Sequence, residues 1–297
     1  MHILIYGYML LCMNACTYER PLERVAFVEA PKTLAMDVQG AYSGGHRLAM
    51  RPTESPQGAG GRQQMNVIVL DTEAAPIVKT EGVQPELMRV YDLGWVVVDT
   101  NDGHEVDSGN VAILDTFKNA QIMSNAYYCD KLPQYYSMMH LGTLHQVSFK
   151  QARDLFKSAC KEYHIKQAWA YNCRFDYATL NATLEDYSGG YQKLFMPYGV
   201  KLYDIMSASA TTVCATKKYT AWAKSKGLVT AKGTPRMTAE AVYRYVTGNH
   251  DFIESHTALD DSRIEARILW ECMRRHGGHV KAGAKWGTKL KAPKKQK

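Results

Sequence analysis

Short apolar runs that end in carboxylates are the main pattern along the chain. Residues 67–70 are all aliphatic, and Asp71 and Glu73 follow them directly. Side chains alternate along a strand, so both acids should face one side of a sheet and Thr72 the other. The apolar residues fall on both sides, which predicts a strand buried on both faces with charges at its carboxyl end. An α/β sheet places its functional site at that end.

A second apolar run, residues 168–171, predicts another strand that turns into a helix. Asn172 follows the strand, and Phe175 and Asp176 begin the helix, which should carry Tyr177, Leu180 and Leu184. Alone, this pattern is also explained by a core phenylalanine and by an acid that the helix dipole favours.

The third pattern places a carboxylate on the inward face of a helix near the C-terminus. Thr257 and Asp260 have the spacing of a capping box, so the helix should begin at about Ala258. Steps of three or four from Asp261 meet an apolar stripe of Ile264, Ile268 and Cys272. The same steps from Asp260 predict a solvated face of Arg263, Arg267 and Glu271. An inward acid beside His256 requires a cation or a proton, although a histidine in a capping loop needs no chemistry.

The remaining periodicity predicts two strands paired around a turn at 101–103, which gives three antiparallel strands in all. Helices are expected at 149–164, 204–224 and 238–246, with a small hairpin at 228–237. Between the first two motifs lies an insertion, residues 118–146, that carries Tyr127, Tyr128, Tyr135 and Tyr136. These rings either stack on nucleic-acid bases or pack half-buried on a helix.

Together the motifs resemble those of a DEDDh-type 3′–5′ exonuclease of the ribonuclease H-like superfamily. They read Asp71-Thr-Glu73, Asn172-x-x-Phe175-Asp176 and His256-x-Ala-x-x-Asp261, within residues 65–275. A sister group has tyrosine four residues before the last acid, where this chain has Thr257. The insertion looks most like those of phage and mobile-element nucleases. The resemblance implies an α/β fold with a ribonuclease H-like mixed central sheet, antiparallel opening strands and flanking helices.

The resemblance also implies the chemistry of the site. Two divalent ions, Mg²⁺ or Mn²⁺, would be held by carboxylates, with Asp71 bridging them and the others completing the shells. His256 would take the proton of the attacking water, so the rate should rise through about pH 6.5–8. The metal ligands are expected to be Asp71, Glu73, Asp176 and Asp261, and the substrate-binding residues Thr72, Asn172 and Phe175.

The expected substrate is a single-stranded nucleic-acid 3′ end. DNA is favoured by the likeness to phage nucleases, whereas related enzymes trim RNA or short oligonucleotides, and the 2′-hydroxyl contact that decides this is not visible in the sequence. A proofreading role would require a separate polymerase or replication partner. The alternative from another class is a catalytically inactive nucleic-acid-binding module.

Charge and cysteine usage add two expectations. The chain has 36 basic and 29 acidic residues, a net +7, yet residues 274–297 hold nine Lys and Arg and no acid, so the rest carries −2. The tail from 276 to 297 should be flexible and either attract phosphates or only aid solubility. A basic-aromatic segment at 217–226 could grip a nucleic-acid backbone or form a solvated helix face. Seven cysteines without a Cys-x-x-Cys pair favour reduced thiols in a cytoplasmic protein.

The first 64 residues are expected to be poorly ordered. Their apolar run at 3–13 is too short to span a bilayer, and no membrane association is predicted. Residues 40–61 are rich in Gly, Pro and Ser, which is typical of a linker. Either the natural protein starts at Met65 or the segment is a flexible extension, and intact mass of the natively expressed protein would decide.

Overall fold

The computed structural model describes residues 65–78 and 82–275, without the side chain of Cys129. The predictions made for residues 1–64 and 276–297 lie outside these described residues. In the described part, no helix is both long enough and apolar enough to cross a membrane.

A six-stranded mixed sheet forms the centre of the fold, which confirms the predicted α/β class. Its spatial order is β4-β3-β2-β1-β5-β6. The first three strands are antiparallel neighbours, and β4, β5 and β6 each run parallel to the strand they join. The strands span Asn66–Pro76 (β1), Met88–Asp99 (β2), Glu105–Ile113 (β3), His145–Val147 (β4), Gln167–Ala170 (β5) and Lys201–Asp204 (β6).

Nine α-helices accompany the sheet in the described part of the chain, and two of them are single turns. They span Leu114–Phe117 (α1), Ala120–Met123 (α2), Leu132–His140 (α3), Phe149–Glu162 (α4), Arg174–Tyr187 (α5), Ile205–Thr212 (α6), Lys217–Ser225 (α7), Ala239–Thr247 (α8) and Ala258–Arg275 (α9). Short 3₁₀ turns occur at Pro85–Leu87 and Cys129–Lys131.

Alternation along β1 divides the interior into two apolar layers, as its sequence predicts. Ile68 and Leu70 belong to a core cluster with residues of α4 and α5. Val67 and Val69 belong to the opposite cluster, with residues of α6 to α9. Burial of apolar area on both faces stabilises a strand of this kind. The polar residues that follow, Asp71, Thr72 and Glu73, continue the same alternation between the two faces of the sheet.

Two boundaries differ from prediction. β1 continues past the acids, with a bulge between Glu73 and Ala74. The helix expected at 204–224 is two helices, because the Thr211 and Thr212 hydroxyls bond back to carbonyls one turn earlier and Thr216 caps a new start. Side-chain bonds of this type compete with continuation of a helix.

The solvated face predicted for α9 is confirmed at Arg263 and Arg267 and was wrong at Glu271. Glu271 is buried, whereas Arg263 and Arg267 are exposed. Arg267 and Arg274 extend over the Glu271 carboxylate and form ion pairs with it at 3.2 and 2.8 Å. Long arginine stems cover neighbouring surface in this way while their charged ends stay in water.

The start of α9 lies against β2 at Gly94. A Cβ atom on Gly94 would come within 2.3 Å of the backbone of Ala258 and Leu259. Gly94 is also the β-sheet partner of Asp71. The absence of a side chain at Gly94 therefore brings the first turn of α9 close to the acid of β1.

A buried carboxylate caps the same helix from the sheet. Asp92 of β2 accepts a hydrogen bond at Oδ2 from the Ala258 backbone N–H (2.9 Å) and from the Tyr135 hydroxyl of α3 (2.7 Å). Free backbone N–H groups at a helix start need such acceptors. Asp92 therefore joins the insertion to the start of α9.

Candidate active site

One cleft of about 360 Å³ lies where β1, β5, α5 and α9 meet. It gathers the residues of all three sequence motifs. The lining residues include Asp71, Thr72, Glu73, Asn172, Phe175, Asp176, His256 and Asp261.

Each acid reaches the cleft from the element that its pattern predicted. Asp71 and Glu73 point from β1 toward α9, and Asp261 lies buried in the first turn of α9. Thr72 points to the opposite layer, where its hydroxyl donates a 2.9 Å hydrogen bond to Asp176 Oδ1 in the first turn of α5. The alternation of β1 thus directs its three polar residues to two different helices.

The cleft is also lined by two carboxylates that were not predicted from the sequence, those of Glu254 and Glu265. Glu265 of α9 is buried, and its Oε2 accepts a 3.0 Å bond from the Tyr171 backbone N–H. Glu254 lies in the loop before His256. A signal for Glu265 existed, because it stands four residues after Asp261 on the inward side of an amphipathic helix. Glu254 has no comparable periodic signal.

Crowding of buried acids raises their proton affinity. Burial, then repulsion from Glu265 and Asp176, raises the pKa of Asp71 well above its ordinary range. Burial, then Asp261, raises the pKa of Glu73 to about 9. Burial raises the pKa of Asp261 to about 8, with Glu254 adding repulsion. Burial also raises the pKa of Asp176 to about 7, against the hydrogen bond from Thr72.

The donor set fits hard divalent cations. Within the described part of the chain, no lysine or arginine forms an ion pair with Asp71, Glu73, Asp176, Asp261 or Glu265. Asp261 Oδ1 is buried without a hydrogen-bond partner. Ligand atoms of Glu73, His256 and Asp261 all lie within 4.8 Å of one another. Carboxylate oxygens are the ligands that Mg²⁺ and Mn²⁺ prefer.

His256 sits at the rim of the cleft, in the loop directly before α9. Its backbone is left-handed, with a φ of 56°. Its Nδ1 is 4.0 Å from Asp261 Oδ2, and its ring is stacked on that of Tyr128. Burial, and then the charge of Lys131, lowers the pKa of the imidazole below its usual 6.5. The neutral ring, which can accept a proton, is thereby favoured.

Asn172 and Phe175 frame the side of the cleft at the turn from β5 into α5. Asn172 adopts a left-handed φ of 57°, a conformation that asparagine tolerates better than most residues, and its carbonyl accepts the Phe175 N–H. Asn172 is exposed and Phe175 half-buried. Both are accessible to a bound molecule.

The metal-free protein is expected to lose stability as the pH rises from about 5 to about 9. Unfolded carboxyls titrate near 4, whereas Asp176, Asp261 and Glu73 titrate at about 7, 8 and 9 in the fold. Between these limits the folded state binds more protons, so the free energy of unfolding falls with pH. Urea unfolding in chelator measures the slope.

Asp261→Asn provides the comparison for this slope, because it removes one of the shifted carboxyls and should make the decline shallower. Added Mg²⁺ should counteract the decline, since it binds the ionised acids. A wild-type stability that is flat or rising over this range, or a slope that Asp261→Asn leaves unchanged, would contradict the prediction.

Comparison with solved structures gives the fold. No protein-family model matches the sequence, and no curated protein matches it significantly. The nuclease domain of 3′hExo, a DEDDh family member solved with rAMP, is 15% identical with a TM-score of 0.51, over 74% of this chain and 97% of that one.

Two further structures of exonucleases match with lower TM-scores. A 3′-exonuclease solved in recognition of a histone mRNA stem-loop is 18% identical (TM-score 0.47, covering 73% of this chain and 66% of that one). E. coli Exonuclease I with a dT13 oligonucleotide is 12% identical (TM-score 0.43, 72% and 42%). On the likeness to the 3′hExo domain, the chain has the ribonuclease H-like α/β fold found in DEDDh exonucleases.

Proposed function

We propose that the chain is a metal-dependent 3′–5′ exonuclease that hydrolyses phosphodiester bonds at single-stranded 3′ ends. The observation that carries this proposal is the convergence of six carboxylates on one cleft with a histidine at the rim, where no lysine or arginine of residues 65–78 and 82–275 forms an ion pair with them. Keeping such a set uncompensated is costly unless it binds cations. The fold shared with a DEDDh nuclease domain supports the same conclusion.

Asp71, Glu73, Asp176 and Asp261 would hold two Mg²⁺ or Mn²⁺ ions. When bound, the ions stabilise the attacking and leaving oxygens of an in-line displacement at phosphorus. The chain positions these ligands itself, since Thr72 fixes Asp176 by a hydrogen bond, and Gly94 and Asp92 fix the start of α9. Glu265, whose carboxylate accepts the Tyr171 N–H, is a further buried acid that interacts with Asp71, and burial raises its pKa well above the ordinary range.

His256 would act as the general base, taking the proton of the attacking water. Its place at the rim and its lowered pKa support this role, because the neutral imidazole is the form that accepts a proton. Asn172 and Phe175 would contact the substrate with their side chains, and Thr72, whose buried hydroxyl is bonded to Asp176, would contact it through its backbone. The exposed amide of Asn172 offers hydrogen bonds, and the half-buried ring of Phe175 offers apolar contact to a terminal nucleotide.

DNA is our favoured substrate, on the resemblance of the motifs and insertion to phage nucleases. RNA or oligonucleotide trimming by the same mechanism is the second candidate, and the rAMP bound to the similar 3′hExo domain is the observation that favours it. In DNA proofreading, the chain would act beside a separate polymerase.

Digestion of 5′-labelled single-stranded DNA and RNA of one sequence, with Mg²⁺, tests the proposal. We expect a ladder of shortened labelled products that Asp261→Asn abolishes. Asp260→Asn is the matched control, because Asp260 is the exposed residue next to Asp261. The Asp260 carboxylate accepts a hydrogen bond from the Thr257 hydroxyl, and an asparagine side chain can accept the same bond. The strand that is cleaved faster shows whether DNA or RNA is the preferred substrate.

An inactive nucleic-acid-binding module predicts the opposite result. Neither strand would be shortened with Mg²⁺ or Mn²⁺, and DNA would bind equally well in chelator and in Mg²⁺. That outcome would refute the exonuclease proposal.

A further inference from the structure

A ring stack connects the insertion to the candidate base. The centroids of the Tyr128 and His256 rings are 4.0 Å apart and their planes differ by 13°. Tyr127 packs edge-on against the outer side of Tyr128, with centroids 4.8 Å apart, and is itself 81% exposed. Tyr128 therefore contacts both another tyrosine and the histidine.

Little else orients the imidazole. The distance of 4.0 Å from Nδ1 to Asp261 Oδ2 is too long for a hydrogen bond. No other polar group of the described residues is bonded to the ring. The terminal torsion of a histidine side chain has broad preferences, so an unrestrained ring would sample many orientations. Contact with a flat neighbour removes most of them.

The insertion that carries Tyr128 is tied to the helix that follows His256. The Tyr135 hydroxyl of the insertion and the Ala258 N–H of α9 share one acceptor, Asp92 Oδ2, in the buried interior. Tyr91 packs edge-on against Tyr135 from β2. The insertion and the histidine loop are therefore held to the same strand.

We propose that Tyr128 is a positioning residue that holds the His256 imidazole in the orientation needed to take a proton from the attacking water. This role rests on the proposed exonuclease function. The stacked face of Tyr128 is occupied by the histidine and is therefore not open to a nucleotide base. A ring contact of this kind contributes about a tenfold preference for the stacked orientation.

Three variants of the full chain separate this role from general packing. Tyr128→Leu keeps apolar bulk but loses the stack, Tyr128→Phe keeps the stack without the hydroxyl, and Tyr127→Leu removes the neighbouring ring. With 5′-labelled single-stranded DNA and Mg²⁺, we expect Tyr128→Leu to lower kcat about tenfold with little change in KM. Tyr128→Phe should keep the kcat of the wild type, and so should Tyr127→Leu.

A second measurement needs no activity. The face of the Tyr128 ring should shift the His256 imidazole proton resonances upfield in NMR spectra recorded in chelator. The His256→Gln spectrum identifies those signals. The shift should vanish in Tyr128→Leu and persist in Tyr128→Phe.

The outcomes distinguish the two proposals. If the wild type cleaves but Tyr128→Leu leaves kcat or the imidazole signals unchanged, the positioning role is refuted while the exonuclease function stands. A Tyr128→Phe variant as slow as Tyr128→Leu would also refute it, because the hydroxyl and not the stack would then matter. A wild type inactive on DNA and RNA refutes both.

Discussion

Asp71→Asn is expected to slow phosphodiester hydrolysis by about ten thousandfold or more and to abolish Mg²⁺ binding. Asp71 lies at the centre of the acid set, where it is repelled by Glu265, Asp176, Glu73 and Asp261. The amide that replaces it keeps the shape but offers no negative charge to a cation. Single-turnover cleavage and calorimetric titration with Mg²⁺ or Mn²⁺ measure the two losses.

Misfolding can be separated from this effect. Because Asp71 is repelled by its neighbours when no metal is present, Asp71→Asn should be at least as stable as the wild type in chelator at about pH 8. Asp154→Asn changes an exposed acid of α4 and serves as the control for charge alone. Retained cleavage by Asp71→Asn would rule out a metal-holding role for this residue.

His256→Gln should slow hydrolysis by about a hundred- to ten-thousandfold while Mg²⁺ affinity changes little. The imidazole stands at the rim, whereas the carboxylates form the cleft interior, so the base can be removed without removing the negative charge. Rate and calorimetric metal affinity are measured on the same preparation. A parallel collapse of affinity would instead assign His256 as a metal ligand, as its closeness to Glu73 and Asp261 permits.

The pH profile carries a second part of this prediction. From the sequence, we expect the rate to rise through about pH 6.5–8. That range assumes the ordinary pKa of an imidazole. In the structure, burial and the charge of Lys131 lower the His256 pKa. The rise should therefore be centred below about pH 6.5 and disappear in His256→Gln. Lys131→Gln should move it upward.

Local rules accounted for much of the fold. The alternation in β1, the start of α9 at Ala258 and the inward direction of Asp261 all follow from periods of two and 3.6 residues. The strands β4 and β6 were missed because they are only three and four residues long and, unlike the equally short β5, neither contains a continuous apolar run. The break between α6 and α7 depends on threonine side chains whose bonds hydropathy does not encode.

The parts of the site that sequence reasoning missed depend on contacts between distant residues. Asp92 caps a helix that begins 166 residues later, and nothing near Asp92 in the sequence announces it. Tyr128 was noted only as one of four clustered tyrosines, and its contact with His256 requires the packed insertion. Of the four tyrosines, Tyr135 is buried in the core. For this ring, packing and not base stacking is the alternative that holds.

The close approach of α9 to Gly94 also has a consequence for the order in which the cleft is assembled during synthesis. A chain leaving the ribosome presents Asp71 and Glu73 first, Asp176 about a hundred residues later, and Ala258 and Asp261 later still. Domains fold as units as synthesis proceeds, so β2 must wait for its last helix before the cleft closes. Under the proposed function, a nascent chain that has not yet exposed residues 258–261 lacks part of the metal site and would be unable to cleave nucleic acid.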